Sequence, residues 1–265
     1  MLIFHHFQLF LCFYFNLTLN SQFLKLLNTN KSIAVLIDPD QNNMDTVNTI
    51  NLCVENQVDF IFVGVSIVTQ GNFNQCIQLI KSHCQIPVYI FPGNELMIDD
   101  KADGILFLSL LSGRNPEYLI GKHVVAAPSL ASSSLDVVPT AYLLIDGGRE
   151  TSVSYISNTK PIPNDKPSIA VATALAGKLL GMQCVYLDAG SGANHSVNYD
   201  MVNKVKTNTQ LPLIIGGGIK DADTALMLFK NGADVIVIGN GVETNPMLIK
   251  ELNKAKQQIV NTATV

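Results

Sequence analysis

The stretch LIIGGGI, residues 213–219, joins a short apolar run to a glycine cluster near the C-terminal end of the chain. A second stretch of this kind, VIVIGNG at residues 235–241, follows it. In a (β/α)8 barrel, the loops after the seventh and eighth strands bind phosphate through backbone N–H groups, and glycine lets the backbone approach the anion closely. Either cluster alone would suit an ordinary glycine turn. The two clusters in this order predict a phosphate site in such a barrel.

Eight short apolar runs recur along the chain, and eight is the number of strands in this barrel. Most of the runs are continuous rather than alternating, as expected for parallel strands that are buried on both faces. They are Ile33–Asp38, Phe60–Gly64, Val88–Phe91, Gly104–Leu108, Tyr142–Asp146, Cys184–Asp188, Leu213–Gly216 and Val235–Gly239. Helical patterns fill most of the gaps, with Asp45 and Asp221 at N-cap positions, at Asp45–Asn56, Phe73–His83, Ser168–Leu180, Asn198–Asn208, Asp221–Asn231 and Pro246–Ile259. The expected fold class is therefore α/β, a (β/α)8 TIM barrel.

Two connections depart from a regular barrel. Residues 92–103 leave little room for a helix between the third and fourth runs, and the pair Pro92-Gly93 would break its start. We therefore expect a missing or irregular third helix. The polar segment Gly147–Pro167, between the fifth and sixth runs, is long enough to fold over the barrel mouth. Loops of that length in compact domains are usually functional or disordered.

The length of 265 residues matches one barrel of about 250 residues. No linker rich in proline, glycine or serine divides the chain, so we expect a single barrel domain over residues 21–265. Residues 1–20 carry no acidic or basic side chain, and we interpret them as an apolar, poorly ordered N-terminal extension. A signal peptide would need a basic start, and a spanning helix would need about 20 predominantly apolar residues. Peripheral membrane contact stays open as an alternative.

Charge and cysteine content narrow the possible partners. The chain has 17 Lys+Arg against 21 Asp+Glu, and its basic residues form no cluster of the kind that follows a nucleic acid. We therefore expect no nucleic-acid partner. The five cysteines lack the C-x-x-C spacing of a zinc or redox site. We interpret them as reduced core residues, which predicts a cytoplasmic protein.

Two carboxylates stand at the end of the first predicted strand, where Asp38 and Asp40 flank a proline. The hydroxyl of Ser66, after the second run, would face the same barrel mouth. Mg²⁺ typically takes one or two carboxylates together with waters and substrate phosphates, so this end of the barrel is a candidate metal site. A turn in which Asp38 caps the next segment is the alternative.

The stretch YLDAGSG, residues 186–192, places an acid at the tip of the sixth run, before a loop of small residues. Acids at the C-terminal ends of barrel strands are usually catalytic or ligand-binding, so Asp188 is a candidate base beside a second set of backbone donors. Local hydrogen bonding by Asp188 in a turn is the alternative. His195 is a minor candidate for the base, because a solvated loop histidine is the simpler interpretation.

Eight short motifs follow one another along the chain: IDPD (37–40), FVGVS (62–66), FPGN (91–94), SLLSGRNP (109–116), SNTKPIP (157–163), YLDAGSGA (186–193), GGGI (216–219) and GN (239–240). In this order, they resemble the geranylgeranylglyceryl phosphate synthase family and the related heptaprenylglyceryl phosphate synthases. The resemblance spans Phe23 to about Asn245. It implies a TIM barrel that lacks a normal third helix.

The resemblance also implies a reaction and a set of site residues. The 3-hydroxyl of sn-glycerol 1-phosphate would attack C1 of a polyprenyl diphosphate, such as geranylgeranyl diphosphate, and diphosphate would leave. Mg²⁺ would be held by Asp38 and Ser66, and Asp188 would accept the hydroxyl proton. The glycerol phosphate would be held by Tyr186, Leu187, Asp188, Ala189, Gly190, Ser191, Gly192, Gly217, Gly218, Gly239 and Asn240. Barrels of this kind commonly form symmetric homo-oligomers.

The chain departs from many members of that family at two positions: Gln41 stands where many carry lysine, and Asp188 where many carry the longer glutamate. These changes predict a weaker diphosphate contact and a displaced base. Two other functions stay open: another phosphate-binding barrel, such as an epimerase or lyase, and a non-catalytic binder of a phosphorylated ligand. The former usually needs a lysine at a strand tip or a set of histidines, and no predicted strand ends in either.

Overall fold

Eight parallel strands close into a barrel in the order of the chain, and the eighth pairs with the first through Ser32 and Val235. The structure is a computed structural model that describes residues 21–27, 31–41, 43–69, 72–239, 242, 245 and 247–263. The strands are β1 (Ser32–Ile37), β2 (Phe60–Val63), β3 (Val88–Ile90), β4 (Gly104–Leu110), β5 (Asp136–Leu144), β6 (Cys184–Asp188), β7 (Leu213–Gly216) and β8 (Val235–Ile238). The predicted TIM barrel is confirmed.

Helices surround this barrel in the described part of the chain. They are α1 (Gln22–Leu27), α2 (Asn43–Glu55), α3 (Phe73–His83), α4 (Lys122–Ser132), α5 (Ser152–Ser157), α6 (Pro167–Leu179), α7 (Tyr199–Thr209), α8 (Ala222–Lys230) and α9 (Met247–Ala263), with a π-helical turn at Glu117–Gly121. Asp221 caps α8 as expected, because its Oδ1 accepts a hydrogen bond from Thr224 N at 2.7 Å. The N-cap prediction for Asp45 is wrong, because α2 begins at Asn43 and Asp45 lies within its first turn.

The region around β4 and β5 confirms one prediction and corrects two. Residues 91–103 contain no helix, so the third crossover is irregular as expected. The sequence did not predict α4, whose interior contains Pro128. Nor did it predict the start of β5, which begins at Asp136 rather than Tyr142. Pro139 lies within β5, and a proline argues against a central strand when only the sequence is read.

The core has two layers, one inside the barrel and one between the barrel and the helices. The N-terminal end of the barrel is closed by α1, whose Phe23 ring lies 4.9 Å from the rings of Phe60 and Tyr89. Asp136 Oδ2 holds this helix by accepting hydrogen bonds from Ser21 Oγ at 2.9 Å and Phe23 N at 3.1 Å. A site inside the barrel is therefore reached from the opposite end, where the strands finish.

The segment 147–167 crosses that open end, as its length predicted. Asp146 N donates to Ile162 O at 2.8 Å, and Asn164 Nδ2 donates to Ser196 O at 3.0 Å, so both ends of the segment are tied to the rim. Helix α5 lies between these anchors and faces the barrel mouth with Ser152, Val153 and Ile156. This segment forms part of the wall of the site.

Three sequence predictions concern the N-terminal extension, membrane spans and the cysteines. The N-terminal extension at residues 1–20 lies outside the described residues. Within the described part of the chain, no helix combines the length and the apolar character needed to span a bilayer. The four cysteines described there are buried and unbridged, as expected for core thiols. Burial raises the pKa of the Cys53, Cys76 and Cys184 thiols to about 12.

Candidate active site

One cavity of about 480 Å³ opens at the C-terminal ends of the strands. It brings together residues at or just after the ends of β1, β2, β6, β7 and β8, which are far apart in the sequence. Ten of the predicted site residues line it: Asp38, Ser66, Tyr186, Asp188, Gly190, Ser191, Gly192, Gly217, Gly218 and Gly239. The glycine loops and the acidic strand ends thus belong to one site.

Two predicted residues do not face this cavity, and one is not described. The side chains of Leu187 and Ala189 are fully buried in the layer between the barrel and the helices. Neighbouring residues of a strand point to opposite faces, so Tyr186 and Asp188 face the barrel interior while Leu187 faces away. Asn240 lies outside the described residues. His195 is exposed and lies outside the cavity lining, which agrees with the simpler interpretation of a loop histidine.

Asp188 is a buried acid, with an exposed fraction of 8%. Its Oδ2 accepts a hydrogen bond from Tyr142 OH at 2.6 Å, and its Oδ1 accepts one from Gly190 N at 2.7 Å. Burial raises the pKa of Asp188 above its usual range, while these two hydrogen bonds act in the opposite direction. Such a carboxyl group, fixed at the cavity wall with an increased proton affinity, suits the role of a general base.

Three aromatic rings form the floor beneath Asp188. The ring of Tyr142 meets that of Tyr186 edge-on at 5.5 Å, and Phe91 lies 5.8 Å from Tyr142 and 5.5 Å from Tyr186. Burial, followed by the charge of Asp188, raises the pKa of both tyrosines well above the ordinary value. Both phenols are therefore neutral, and Tyr142 is a hydrogen-bond donor to the carboxylate.

The glycine loops after β6 and β7 pack directly on each other. Gly217 has a φ of +80°, and a Cβ there would lie 2.6 Å from Gly190 N. Gly218 has a φ of +68°, and a Cβ there would lie 2.3 Å from His195 O. Among the described residues, the N–H groups of Gly192, Gly217 and Gly218 have no protein acceptor, and all three glycines line the cavity. Unpaired N–H groups in such a concave loop suit an anion.

Asp38 and Ser66 stand at the ends of neighbouring strands, which are joined where Gly64 N donates to Ile37 O at 3.2 Å. Asp38 Oδ1 accepts a hydrogen bond from Asp40 N at 2.8 Å, and no donor in the described part of the chain reaches the other carboxylate oxygen. Burial is the main cause that raises the pKa of Asp38. The loops after β1 and β2 are also joined by a hydrogen bond, which Thr69 Oγ1 donates to Asp40 Oδ2 at 2.6 Å.

This pair of oxygen donors fits Mg²⁺, which is commonly bound by one or two carboxylates together with waters and substrate phosphates. No cluster of three or more His, Cys, Asp or Glu side chains that would bind a metal on its own occurs among the described residues. A cation next to Asp38 and Ser66 would therefore take its remaining ligands from water and from a phosphorylated substrate.

The cavity continues into an apolar groove that the sequence did not locate. This groove lies between β4, the loop after β3 and α4, and its walls are Ile98, Ile105, Phe107, Leu108, Ala126 and Leu130. It occupies the space that a third helix fills in a regular barrel, because residues 91–103 cross there without one. The short crossover was the available signal, although it does not name the lining residues.

The entrance to the groove is framed by an ion pair and a histidine. Lys122 Nζ lies 2.6 Å from Glu95 Oε2 and 5.3 Å from the ring centre of Tyr118. His123 Nε2 lies 3.1 Å from Ser109 Oγ, and the imidazole meets the Phe107 ring edge-on at 4.5 Å. Burial lowers the pKa of His123. The histidine is therefore neutral near pH 7, which keeps the groove wall uncharged.

Comparisons with known proteins show which proteins this chain resembles. The geranylgeranylglyceryl phosphate synthase of Chitinophaga pinensis is 49% identical over 226 residues, covering 85% of this chain and 90% of that protein. The same-named protein of Spirosoma linguale is 48% identical over 227 residues, covering 85% and 91%. The crystal structure of (S)-3-O-geranylgeranylglyceryl phosphate synthase from Thermoplasma acidophilum with its substrate sn-glycerol-1-phosphate has a TM-score of 0.83 at 32% identity, covering 89% and 96%. The PcrB family profile matches residues 27–256, and the chain belongs to the PcrB family.

Proposed function

We propose that this chain is a geranylgeranylglyceryl phosphate synthase, a prenyltransferase that joins sn-glycerol 1-phosphate to a polyprenyl diphosphate through an ether bond. One observation supports this above the others: a single cavity of about 480 Å³ contains the glycine loops, the acid Asp188 and a long apolar groove. A reaction between a phosphate ester and a hydrocarbon chain needs these three features side by side. An epimerase or lyase of small sugar phosphates has no use for the groove.

The glycerol phosphate fits the polar side of the cavity. Its phosphate group would accept hydrogen bonds from the unpaired N–H groups of Gly192, Gly217 and Gly218. Asp188, the last residue of β6, stands on the same side and would face the glycerol hydroxyls. Fixing the phosphate in this way holds the attacking oxygen at one place, which contributes to catalysis by lowering the entropy lost in the reaction.

The prenyl diphosphate fits the opposite side. Its hydrocarbon chain would lie in the groove along Phe107, Ala126 and Leu130, while its diphosphate would lie near Asp38 and Ser66. We propose that these two residues hold Mg²⁺. When bound there, the ion would neutralise the charge that develops on the departing diphosphate. C1 of the prenyl group would then lie between the Asp38 side of the cavity and the glycine loops.

In the reaction, the 3-hydroxyl oxygen of the glycerol phosphate bonds to C1 of the prenyl chain, and the bond from C1 to the diphosphate oxygen breaks. The hydroxyl proton passes to Asp188, and the diphosphate leaves with the bonding electron pair. Asp188 is held for this task by Tyr142 OH and Gly190 N. The aromatic floor of Phe91, Tyr142 and Tyr186 keeps water away from the developing allylic cation.

The direct test is an assay of the purified protein with Mg²⁺, geranylgeranyl diphosphate and either sn-glycerol 1-phosphate or sn-glycerol 3-phosphate. Mass spectrometry should detect the prenyl ether with the 1-phosphate and much less with the 3-phosphate. The two substrates are mirror images, and only one of them can place its phosphate in the glycine loops and its reacting hydroxyl at Asp188. Absence of ether with every prenyl chain from farnesyl to heptaprenyl would overturn the proposal.

The groove makes a prediction about chain length. Ala126 is 8% exposed and lines the groove from α4, so Ala126→Phe should fill part of the groove with an aromatic ring. We expect turnover with geranylgeranyl diphosphate to fall by about tenfold or more, as for a pocket that must exclude several methylene groups, while farnesyl diphosphate is affected less. Competition between the two diphosphates, followed by mass spectrometry, measures the shift.

The matched control for this change is Val125→Phe. Val125 is the neighbour of Ala126 on the same helix, but its side chain is 62% exposed and does not line the groove. The preference between the two diphosphates should stay unchanged in this variant. Equal shifts in both variants would show that a general disturbance of α4, and not the groove, sets the preference.

A further inference from the structure

Two cations stand at the cavity mouth beside the glycine loops. Lys220 follows the glycine cluster of β7 and lines the cavity, and its Nζ donates to Asn194 O at 3.2 Å. Arg149 lies on the segment that crosses the mouth, and its Nη1 donates to Gly192 O at 3.4 Å. Within the described ranges, neither cation is within ion-pair distance of a carboxylate.

Both cations are held by carbonyls of one loop, residues 190–195, that also supplies part of the anion site. Gly192 presents its unpaired N–H in this loop, and Gly218 packs against the His195 backbone of the same loop. The hydrogen bonds at 3.2 and 3.4 Å go to neutral carbonyl oxygens. A phosphate oxygen is a stronger acceptor for a cation than a carbonyl, so a phosphate in the glycine loops would draw both side chains to it.

The charge of the cavity gives a reason for such cations. Asp38 and Asp188 both line it, and a phosphate monoester brings about −1.5 to −2 charges of its own. The other lysine that lines the cavity, Lys122, is already paired with Glu95 at 2.6 Å. Backbone N–H groups alone would have to hold a dianion in a cavity that also contains these two acids, and Lys220 with Arg149 would offset the charge of the phosphate.

We propose that Lys220 and Arg149 bind the phosphate of sn-glycerol 1-phosphate from two sides and are positioning and specificity residues of the site. This inference rests on the proposed function for the identity of the ligand, a glycerol phosphomonoester. The two cations select a substrate with a terminal phosphate over glycerol itself, and they leave the prenyl diphosphate site unchanged.

The test compares steady-state kinetics of Lys220→Met, Arg149→Met and the double variant with the unchanged protein. The KM for sn-glycerol 1-phosphate should rise about tenfold in each single variant and further in the double variant, as expected for the loss of a hydrogen bond between charged groups. The kcat and the KM for geranylgeranyl diphosphate should stay within about twofold. Lys220→Arg should retain most of the affinity, because arginine keeps the positive charge and the N–H donors.

Matched controls come from cations away from the mouth. Lys230→Met changes an exposed lysine at the end of α8, and Arg114→Met changes an arginine whose Nη1 donates to Ser112 O and not to the loop at residues 190–195. Both should leave the KM for the glycerol phosphate unchanged. Unchanged KM values in the double variant would overturn the inference, and so would an equal rise in the KM for both substrates together with a lower melting temperature.

A binding measurement keeps this inference separate from the proposed function. Calorimetric titration with sn-glycerol 1-phosphate, and with inorganic phosphate as a second probe, does not require turnover. If the unchanged protein makes no ether but binds inorganic phosphate, and the double variant loses that binding, the cation pair is supported and the reaction is not. Equal binding of both probes by the unchanged protein and the double variant would contradict the cation pair whatever the reaction.

Discussion

Asp188→Asn is expected to lower kcat by a factor of about 10² to 10³ while the barrel stays folded, because a positioned general base contributes on that scale. The asparagine keeps the shape of the side chain and can still accept the hydrogen bond from Gly190 N, while its amide group can donate to the Tyr142 oxygen. Only the ability to take up the hydroxyl proton is lost. Single-turnover rates with both substrates measure this effect on the chemical step.

The stability of this variant separates a chemical role from a structural one. Burial raises the folded-state pKa of Asp188, so its contribution to stability is fully present below the unfolded-state pKa and is lost as the pH rises through the folded-state pKa. The carboxyl group therefore contributes less to stability as the pH rises. We expect Asp188→Asn to have an equal or higher free energy of unfolding at pH 7, measured by denaturant titration.

Tyr142→Phe is the matched control for the electrostatic part of this argument. It removes the hydroxyl that donates to Asp188 Oδ2 at 2.6 Å, and this hydrogen bond lowers the pKa of Asp188. Without it, the carboxyl pKa should rise further, and the acid limb of the kcat/KM profile should move to higher pH.

A kcat of Asp188→Asn within tenfold of the unchanged protein would remove Asp188 from the role of base.

Several strand ends were predictable because the apolar runs stop at an acid or a glycine. Asp38 follows β1 and Asp188 is the last residue of β6, and the chain order places both at one end of the barrel. The outward direction of Leu187 was also available, since side chains alternate along a strand. The family resemblance covers the whole motif YLDAGSG and does not distinguish residues that face the cavity from residues that face away.

The groove could not be predicted in the same way. Ile105, Ala126 and Leu130 are apolar residues whose local patterns are the same whether they meet other core residues or line a groove. Helix α4 was hidden as well, because Pro128 lies within it. Which apolar side chains are left without a partner depends on the absence of a helix elsewhere in the fold, and this information is not local.

The same reasoning applies to the two cations of the mouth. Lys220 lies two residues after Gly218, while Arg149 precedes the glycine cluster by more than sixty residues in the chain. Their common environment arises only because the segment 147–167 folds back over the loop at 190–195. The sequence predicted that the segment containing Arg149 crosses the barrel mouth, but not which loop this side chain contacts.

Asp38→Ala is expected to lower kcat at least about 100-fold, since altering even the outer partners of metal ligands costs up to that factor. Asp38→Asn separates charge from shape, because its amide oxygen can still accept the Asp40 N–H bond that Asp38 Oδ1 accepts at 2.8 Å. Both variants should also weaken binding of Mn²⁺ in the presence of diphosphate, measured by electron paramagnetic resonance.

The control is Asp223→Asn, at an exposed carboxylate in the first turn of α8. It should change neither kcat nor the affinity for Mn²⁺. If Asp38→Asn kept both its activity and its Mn²⁺ affinity, the metal would have to bind elsewhere, because the carboxylate charge is what distinguishes this position as a ligand for a hard cation.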